Sequence, residues 1–277
     1  MPLPPAQTAI PIQVLRNSVC LDDSYTLAAL ESVTTPLLGL AHEDQPVCLP
    51  AEPVHVMVST SAGGGSTTLL RGLMAQLLRL GAHIDVIDTT SKEHAWAAGL
   101  DGVEYFTHIE DIHEYLVDAA QDVLRDNAGT QAVSGWERRR IVVIENADQV
   151  VFGLRQYWRH TRPESQLDET PAVEAIAVLQ DEGRRAGLSL FVSTPSAQIP
   201  GTGPVPDAFG VRVLAHGCTN QWMRAAPEIW PVPPLSLTRG RMYVVSDRQA
   251  VRMQCLYMSP GQARAWASDV TRKEFVR

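Results

Sequence analysis

Long apolar runs, paired cysteines and an excess of basic charge are what this 277-residue sequence lacks. No stretch approaches the eighteen or so uninterrupted apolar residues that a membrane span requires, which excludes a transmembrane helix. The opening MPLPPAQTAIPIQVLRNSVC has no basic segment leading into a leucine-rich one, so no secretory leader is read there and a cytoplasmic protein is expected. Cys20, Cys48, Cys218 and Cys255 form no CxxC pair and have no histidine at metal-ligand spacing. Neither a zinc site nor a disulfide framework is signalled, and buried free thiols are expected. The eight histidines are dispersed, and His108 and His113, five apart around a helix start, read as surface or capping residues. With 23 basic against 31 acidic residues the net charge is −8, which argues against a protein that coats nucleic acid with its whole surface. Local basic segments do exist. One is ERRRI, with Arg138, Arg139 and Arg140; the other is RQYWRHTR, where Arg155, Arg159, His160 and Arg162 alternate with Tyr157 and Trp158. Guanidinium groups pair with phosphate and flat rings stack on bases, so DNA contact is one reading; a solvated loop and strand flank is the other.

What is present is a chain long enough, at 45% hydrophobic, for one large domain with small extensions. Residues 1–35, Pro-rich and then weakly helical in DDSYTLAALESV, read as an N-terminal arm. PLLGLAHEDQPVCLPAEP reads as a hairpin before the core. From His55 strands and helices alternate. VHVMVS is a strand, and residues 67–80 set Leu69, Leu70, Leu73, Met74, Leu77 and Leu78 at helical spacing. HIDVID is a strand, DIHEYLVDAAQDVLRD an amphipathic helix, and RIVVIEN a strand apolar enough to be buried on both faces. PAVEAIAVLQDEGRRAG is a helix opened by Pro171 and closed by Gly187, followed by the strand LSLFVST. FGVRVLA is a further strand, and GRMYVVSDRQAVRMQCLYM is a hairpin turning at SDRQ. This order predicts an α/β fold with a mainly parallel sheet, crossover helices and a C-terminal β-hairpin, its ligand site at the carboxyl ends of the strands. The core is assigned to residues 36–260 and a tail or helix to 261–277.

The segment MVSTSAGGGSTTLLRGLMAQLL joins a strand to a leucine-striped helix, where a phosphate loop would lie. Such a loop reads GxxxxGK followed by Ser or Thr: glycines turn backbone N–H groups inward, the lysine bridges the terminal phosphates and the hydroxyl holds magnesium. Laid on residues 59–66, the pattern keeps Gly64 and Ser66 but has Ser59 for the leading glycine and Gly65 for the lysine. Ser59, Gly63, Gly64, Gly65, Ser66 and Thr67 are the candidate phosphate-binding residues, since the N-terminus of a helix still attracts an anion. A plain Gly-rich strand-to-helix turn is the alternative. A charge-assisted hydrogen bond contributes about 1.5–3 kcal/mol, so losing the lysine weakens binding roughly ten- to a hundred-fold. Hydrolysis suffers more, because the lysine also neutralises charge developing on the transferred phosphoryl group.

With these segments in place, the chain resembles the motor domain of the FtsK/SpoIIIE family of ring-forming DNA translocases, most of all the short versions in phages and transferable elements. The likeness runs from about Pro36 to Met258. It is carried by PLLGLAHEDQPVCLPAEPVHVMVST, by LLRGLMAQLLRLGAHIDVIDTTSKEHAWAAGLDGVEYFTHIEDIHEYL and by RRRIVVIENADQV, the counterpart of the Walker B strand. GRRAGLSLFVSTPSA, AFGVRVLAHGCTNQWMRAAPE and the closing GRMYVV and VRMQCLYMS complete it in the same order. The resemblance implies a RecA-like P-loop NTPase fold. It implies that Glu145 orients magnesium together with the hydroxyl of Ser66, while Asn146 stands where a glutamate activates water and cannot accept the proton. The family's polar sensor falls at or beside Pro195. Arg212 matches the arginine of the Phe-x-x-Arg segment, as a charge at a subunit boundary or as a surface arginine at a strand end. Lysine, catalytic acid and sensor are thus all missing from one site, which implies a degenerate member, a pseudo-ATPase subunit in DNA transfer or segregation. Its implied cofactor is weakly bound ATP with magnesium, or none. Its implied partners are double-stranded DNA, with contacts at Arg138, Arg155, Arg159 and Arg162, and other FtsK-like subunits in a homo- or hetero-oligomer. Two alternatives stand beside this reading: an active ATPase whose lysine is replaced by Lys92 or by a neighbouring subunit's arginine, and a protein-binding adaptor resembling degenerate ATPase modules of secretion systems.

Overall fold

The computed structural model describes residues 15–61, 63–127, 135–162, 169–215, 219–234 and 236–269. The start of the expected arm, the last residues of the expected tail and Cys218 lie outside them. The first elements are β1 (Val19–Cys20), α1 (Ser24–Ser32), β2 (Leu37–Leu40) and β3 (Pro46–Cys48), the last two forming the expected early hairpin. The alternating region follows as β4 (Val56–Thr60), α2 (Ser66–Arg79), β5 (His83–Ile87), β6 (Val103–Phe106), α3 (Ile109–Asp126), β7 (Arg140–Ile144), α4 (Ala147–Thr161), α5 (Pro171–Glu182) and β8 (Leu188–Ser193). The chain ends through α6 (Val205–Ala208), β9 (Val211–Ala215), α7 (Thr219–Ala225), β10 (Arg241–Ser246), β11 (Gln249–Tyr257) and α8 (Pro260–Ser268).

These strands form one sheet in the order β3-β2-β11-β10-β9-β4-β8-β7-β5-β6, with β1 pairing on β11. The six strands from β9 to β6 are mutually parallel, and β10, β11, β2 and β3 add an antiparallel wing. Parallel strands need both faces covered, which explains why every residue of β4 and β8 is buried. Val56 and Val58 pack with the leucines of α2 on one face, while Met57 packs with α3, α4, α5 and α7 on the other. Each such fully buried apolar side chain contributes about 1.5–3 kcal/mol. The buried Gln76 ties α2 to the wing: its Oε1 accepts from the Leu37 backbone N–H at 2.7 Å and its amide nitrogen donates back to the Leu37 carbonyl at 2.9 Å.

Local chemistry sets the boundaries. Thr170 caps α5, accepting from Ala172 N–H, with Pro171 in the first turn; Ser259 and Gln262 form a capping box on α8. The β10–β11 turn places Asp247 and Arg248 at φ of 47° and 61°, the left-handed pair of a tight hairpin. No helix among the described residues is long and apolar enough to cross a membrane. Cys20, Cys48 and Cys255 are free thiols, of which Cys255 is buried and the other two are partly exposed. The short strand β6 and the whole of α4 are not anticipated by the sequence pattern, and α4 replaces the loop expected around Arg155.

Candidate functional site

The carboxyl ends of β4, β5, β7 and β8 meet where β4 turns into α2. Ser59 belongs to the sheet: it is fully buried and its hydroxyl donates to the Thr194 carbonyl at 2.6 Å. Beyond Thr60 the loop turns through Gly63 at φ 73° and Gly65 at φ 104°, and Gly64 N–H donates to the Ser61 carbonyl at 2.8 Å. A Cβ on Gly64 would lie 2.6 Å from Thr60 Cβ, so the close approach of these two residues requires glycine there. No side chain caps the start of α2. The N–H groups of its first turn therefore retain the polarity that attracts phosphate.

Of the two hydroxyls that open α2, it is Thr67 whose contact with Glu145 is seen, and this favours a register one residue later than the one laid on residues 59–66. In a phosphate loop the hydroxyl that follows the lysine faces the acid at the end of the neighbouring strand; here Thr67 Oγ1 donates to Glu145 Oε1 at 3.2 Å. Laid on residues 60–67, the pattern has Gly65 as the second glycine, Ser66 in the lysine's place and Thr67 as the hydroxyl, where residues 59–66 would have Gly64, Gly65 and Ser66. Three consecutive glycines make the sequence alignment degenerate, and the contact of Thr67 with Glu145 is what separates the two registers. A lysine at position 65 would also meet strain, since φ is 104° and a Cβ would stand 3.2 Å from Met242 Cε.

Glu145 follows β7, is 7% exposed and is held from three sides. Oε1 accepts from Thr67 and from Ser193 Oγ at 2.8 Å, and Oε2 accepts from His94 Nε2 at 2.8 Å. Ser193 Oγ in turn accepts from the Asn146 backbone N–H at 2.7 Å. His94 is fully buried and its Nδ1 has no hydrogen-bond partner. The backbone N–H of His94 donates to Asp88 Oδ2 at 3.0 Å, and Asp88 also receives Thr90 Oγ1 at 2.6 Å and Tyr105 OH at 2.7 Å. Burial opposes the charge of Asp88, but the hydrogen bonds from Thr90, Tyr105 and the His94 backbone outweigh it and hold its pKa below the usual value. Burial and the neighbouring Asp88 push the Tyr105 phenol up.

Asn146 begins α4 at φ 54° and ψ 68°, a left-handed conformation that asparagine tolerates well. Its Nδ2 donates to Gln149 Oε1 at 3.3 Å, and its Oδ1 is buried without a partner. The residue after Ser193, Thr194, which stands beside Pro195, donates its hydroxyl to Asp148 Oδ2 at 2.6 Å, and Ser193 and Thr194 are the polar groups at the end of β8. Neither they nor His94 stand out in the sequence. His94 lies in the segment TTSKEH, but its partner Glu145 is 51 residues away and no local spacing reveals that pairing.

These donors do not suit a magnesium ion. Magnesium requires an octahedron of oxygen ligands, commonly one or two carboxylates with waters and phosphate. A carboxylate has about four acceptor positions, and three on Glu145 are taken. Asp88 is saturated by its own loop and Tyr105, and Asn146 carries no charge.

The remaining residues divide between paired and exposed. Arg212 is 5% exposed within β9, where its guanidinium donates to the Ala225 carbonyl at 2.8 Å and to Glu228 at 2.6 Å; it is not a surface arginine at a strand end. Arg155 is engaged by both oxygens of Glu169. Arg159 and Arg162 are exposed at the end of α4, and Arg162 lies over the Trp158 ring at 4.4 Å, with His113 stacked 5.4 Å from the same ring. Arg138 is exposed on a short turn before β7, while Arg139 is buried against Trp136. Lys92 is exposed.

No protein-family model and no curated protein matches the sequence. Solved structures do match. The pCW3 conjugation coupling protein TcpA, in its monomer form with ATPγS, superposes with a TM-score of 0.67 at 16% identity, over 91% of this chain and 74% of that one. The cytoplasmic domain of the Thermomonospora curvata type VII secretion ATPase EccC gives 0.64 at 18% identity, over 91% of this chain and 29% of that one. The cytoplasmic domain of EssC gives 0.63 at 15%, over 90% and 49%. The chain therefore has the P-loop ATPase fold of conjugation coupling and secretion ATPases, in agreement with the FtsK/SpoIIIE-like architecture expected from its sequence.

Proposed function

We propose that the chain is a non-hydrolysing, FtsK/SpoIIIE-like translocase subunit that keeps a weakened nucleotide-binding loop and works within an oligomer engaged in DNA transfer or segregation. The observation that carries this reading is Asn146. Hydrolysis needs a base at the end of this strand to orient and deprotonate water, and a carboxamide accepts no proton at neutral pH. Ser66 compounds the loss, since no cation follows Gly65 to neutralise charge on a transferred phosphoryl group. What remains supports binding: uncapped N–H groups at the start of α2 and a glycine turn open to solvent at Gly63.

The DNA-facing part of the proposal rests on Arg159 and Arg162 beside Trp158, with Arg138 as a further exposed cation. Arg155 contributes by holding the Glu169 segment, and Arg212 by joining β9 to the chain beyond α7. A second reading, a protein-binding adaptor, is favoured by Trp230 and Leu237, which are 75% and 94% exposed, and by the net charge of −8.

The test is ATP turnover by the purified chain, with and without double-stranded DNA, beside the variant Ser66→Lys, Asn146→Glu. No turnover is expected from the natural sequence, and the variant should bind nucleotide roughly ten- to a hundred-fold more tightly. Turnover at translocase rates by the natural sequence would sink the proposal. If that turnover vanished in Lys92→Ala, the displaced-lysine alternative would replace it.

A further inference from the structure

We infer that phosphate-bearing ligands bind this site without magnesium, because Thr67, Ser193 and His94 together take three of the roughly four acceptor positions on the nearly buried Glu145. The inference rests on the nucleotide reading of the loop and deepens it. In a site that recruits magnesium with its nucleotide, the strand-end carboxylate must stay open to receive the ion's waters. Here that carboxylate is enclosed. Glu145 is 7% exposed, its Oε1 already accepts from Thr67 and Ser193, and its Oε2 faces the imidazole of a fully buried histidine at 2.8 Å.

His94 is not a casual neighbour. The loop after β5 is built around Asp88, whose carboxylate gathers the backbone N–H groups of Thr90 and His94, the Thr90 hydroxyl and the Tyr105 phenol. That clamp fixes the backbone from which the imidazole reaches Glu145. Releasing Oε2 would leave a second buried ring nitrogen unpaired, since Nδ1 already lacks a partner. An arriving ion would find a single acceptor position left, on Oε2, beside a held donor and on a carboxylate that is 7% exposed. The site offers the phosphate the N–H groups of the first turn of α2 and the hydroxyl of Ser66, neither of which needs a metal, while the one proton of Thr67 Oγ1 is given to Glu145.

The experiment is calorimetric titration of the full chain with ATPγS, in magnesium and again in EDTA, for the natural sequence and for His94→Ala and Ser193→Ala. Equal affinity with and without magnesium is expected for the natural sequence. In His94→Ala, which opens Oε2, magnesium should tighten binding about tenfold, the factor that one restored charge-assisted contact gives. Ser193→Ala frees one of the two occupied positions on Oε1 instead, with the same gain expected from magnesium, and keeps the test available should the first variant not fold. A natural sequence that binds only with magnesium would overturn the inference and leave the nucleotide reading standing. Absence of binding in both buffers would overturn the two together. If His94 were merely a structural pin, its loss would lower the melting temperature without creating any dependence on the metal, and the inference would fail on that result as well.

Discussion

Acid should loosen the strand beneath the glycine loop, and His55 sets by how much. This residue immediately precedes β4 and is fully buried; its Nδ1 accepts from the Leu190 backbone N–H at 2.8 Å while its Nε2 donates to the Gln180 carbonyl at 3.0 Å. Together the two bonds require the neutral ring. Burial, with Arg184 nearby, depresses its pKa from 6.5 to about 4. In the unfolded chain it returns to the ordinary value, so between these limits the unfolded state binds a proton that the folded state refuses. Stability is complete above 6.5 and is lost as pH falls toward 4. At about 1.36 kcal/mol per pH unit, the whole interval amounts to about 3 kcal/mol, of which about 2 kcal/mol is lost between pH 7 and pH 5, before unfolded carboxylates titrate appreciably. The assay is urea unfolding at those two pH values for the natural sequence and for His55→Gln, which keeps a donor and an acceptor but does not ionise. His113, also lowered by burial, acts in the same direction in both proteins. The natural sequence should lose about 2 kcal/mol more than the variant over this step, whatever their difference at pH 7. Parallel losses would refute the assignment of His55 as the buried neutral anchor.

Gly64→Ala should abolish phosphate binding and lower stability by about 1–3 kcal/mol, because its Cβ would stand 2.6 Å from Thr60 Cβ and 2.8 Å from the Ser61 carbonyl; unchanged ligand affinity would contradict this. Removing Arg159 and Arg162 together should flatten the dependence of log affinity for DNA on log salt by about two, one for each phosphate left without its guanidinium. Arg155→Ala should leave that slope nearly unchanged and alter stability by no more than about 1 kcal/mol, since its pair with Glu169 is partly exposed; fluorescence anisotropy across a salt series separates the two cases.

The order of strands and helices was legible because buried parallel strands and leucine-striped helices leave short-range marks. The apolar RIVVI of β7 and the stripe on α2 announce themselves within a few residues. Helix α4 did not, although Val150, Val151 and Leu154 bury one face, because three arginines, a histidine and two large rings in RQYWRHTR dominate that segment. The turn from β4 into α2 was legible, but its register against a phosphate-loop pattern was not, since a run of three glycines contains no marker of where α2 begins. The partners of Glu145 were the least accessible. Thr67, His94 and Ser193 follow or end three different strands, and what unites them is the order of the sheet. Arg212 misled for a related reason: an arginine inside a strand is bearable only because Glu228 and the Ala225 carbonyl, at and beyond the end of the next helix, meet it there.

The position of β4 between β8 and β9 has a consequence for how this protein is made. On the ribosome, the strand that leads into the glycine loop emerges with both edges bare, and its partners, residues 188–193 and 211–215, are not synthesised until more than a hundred further residues are out. Until then β4 is a short, largely apolar ribbon inviting pairing with a stranger, and the burden of keeping it solitary falls on α2, the covering element made soonest after it.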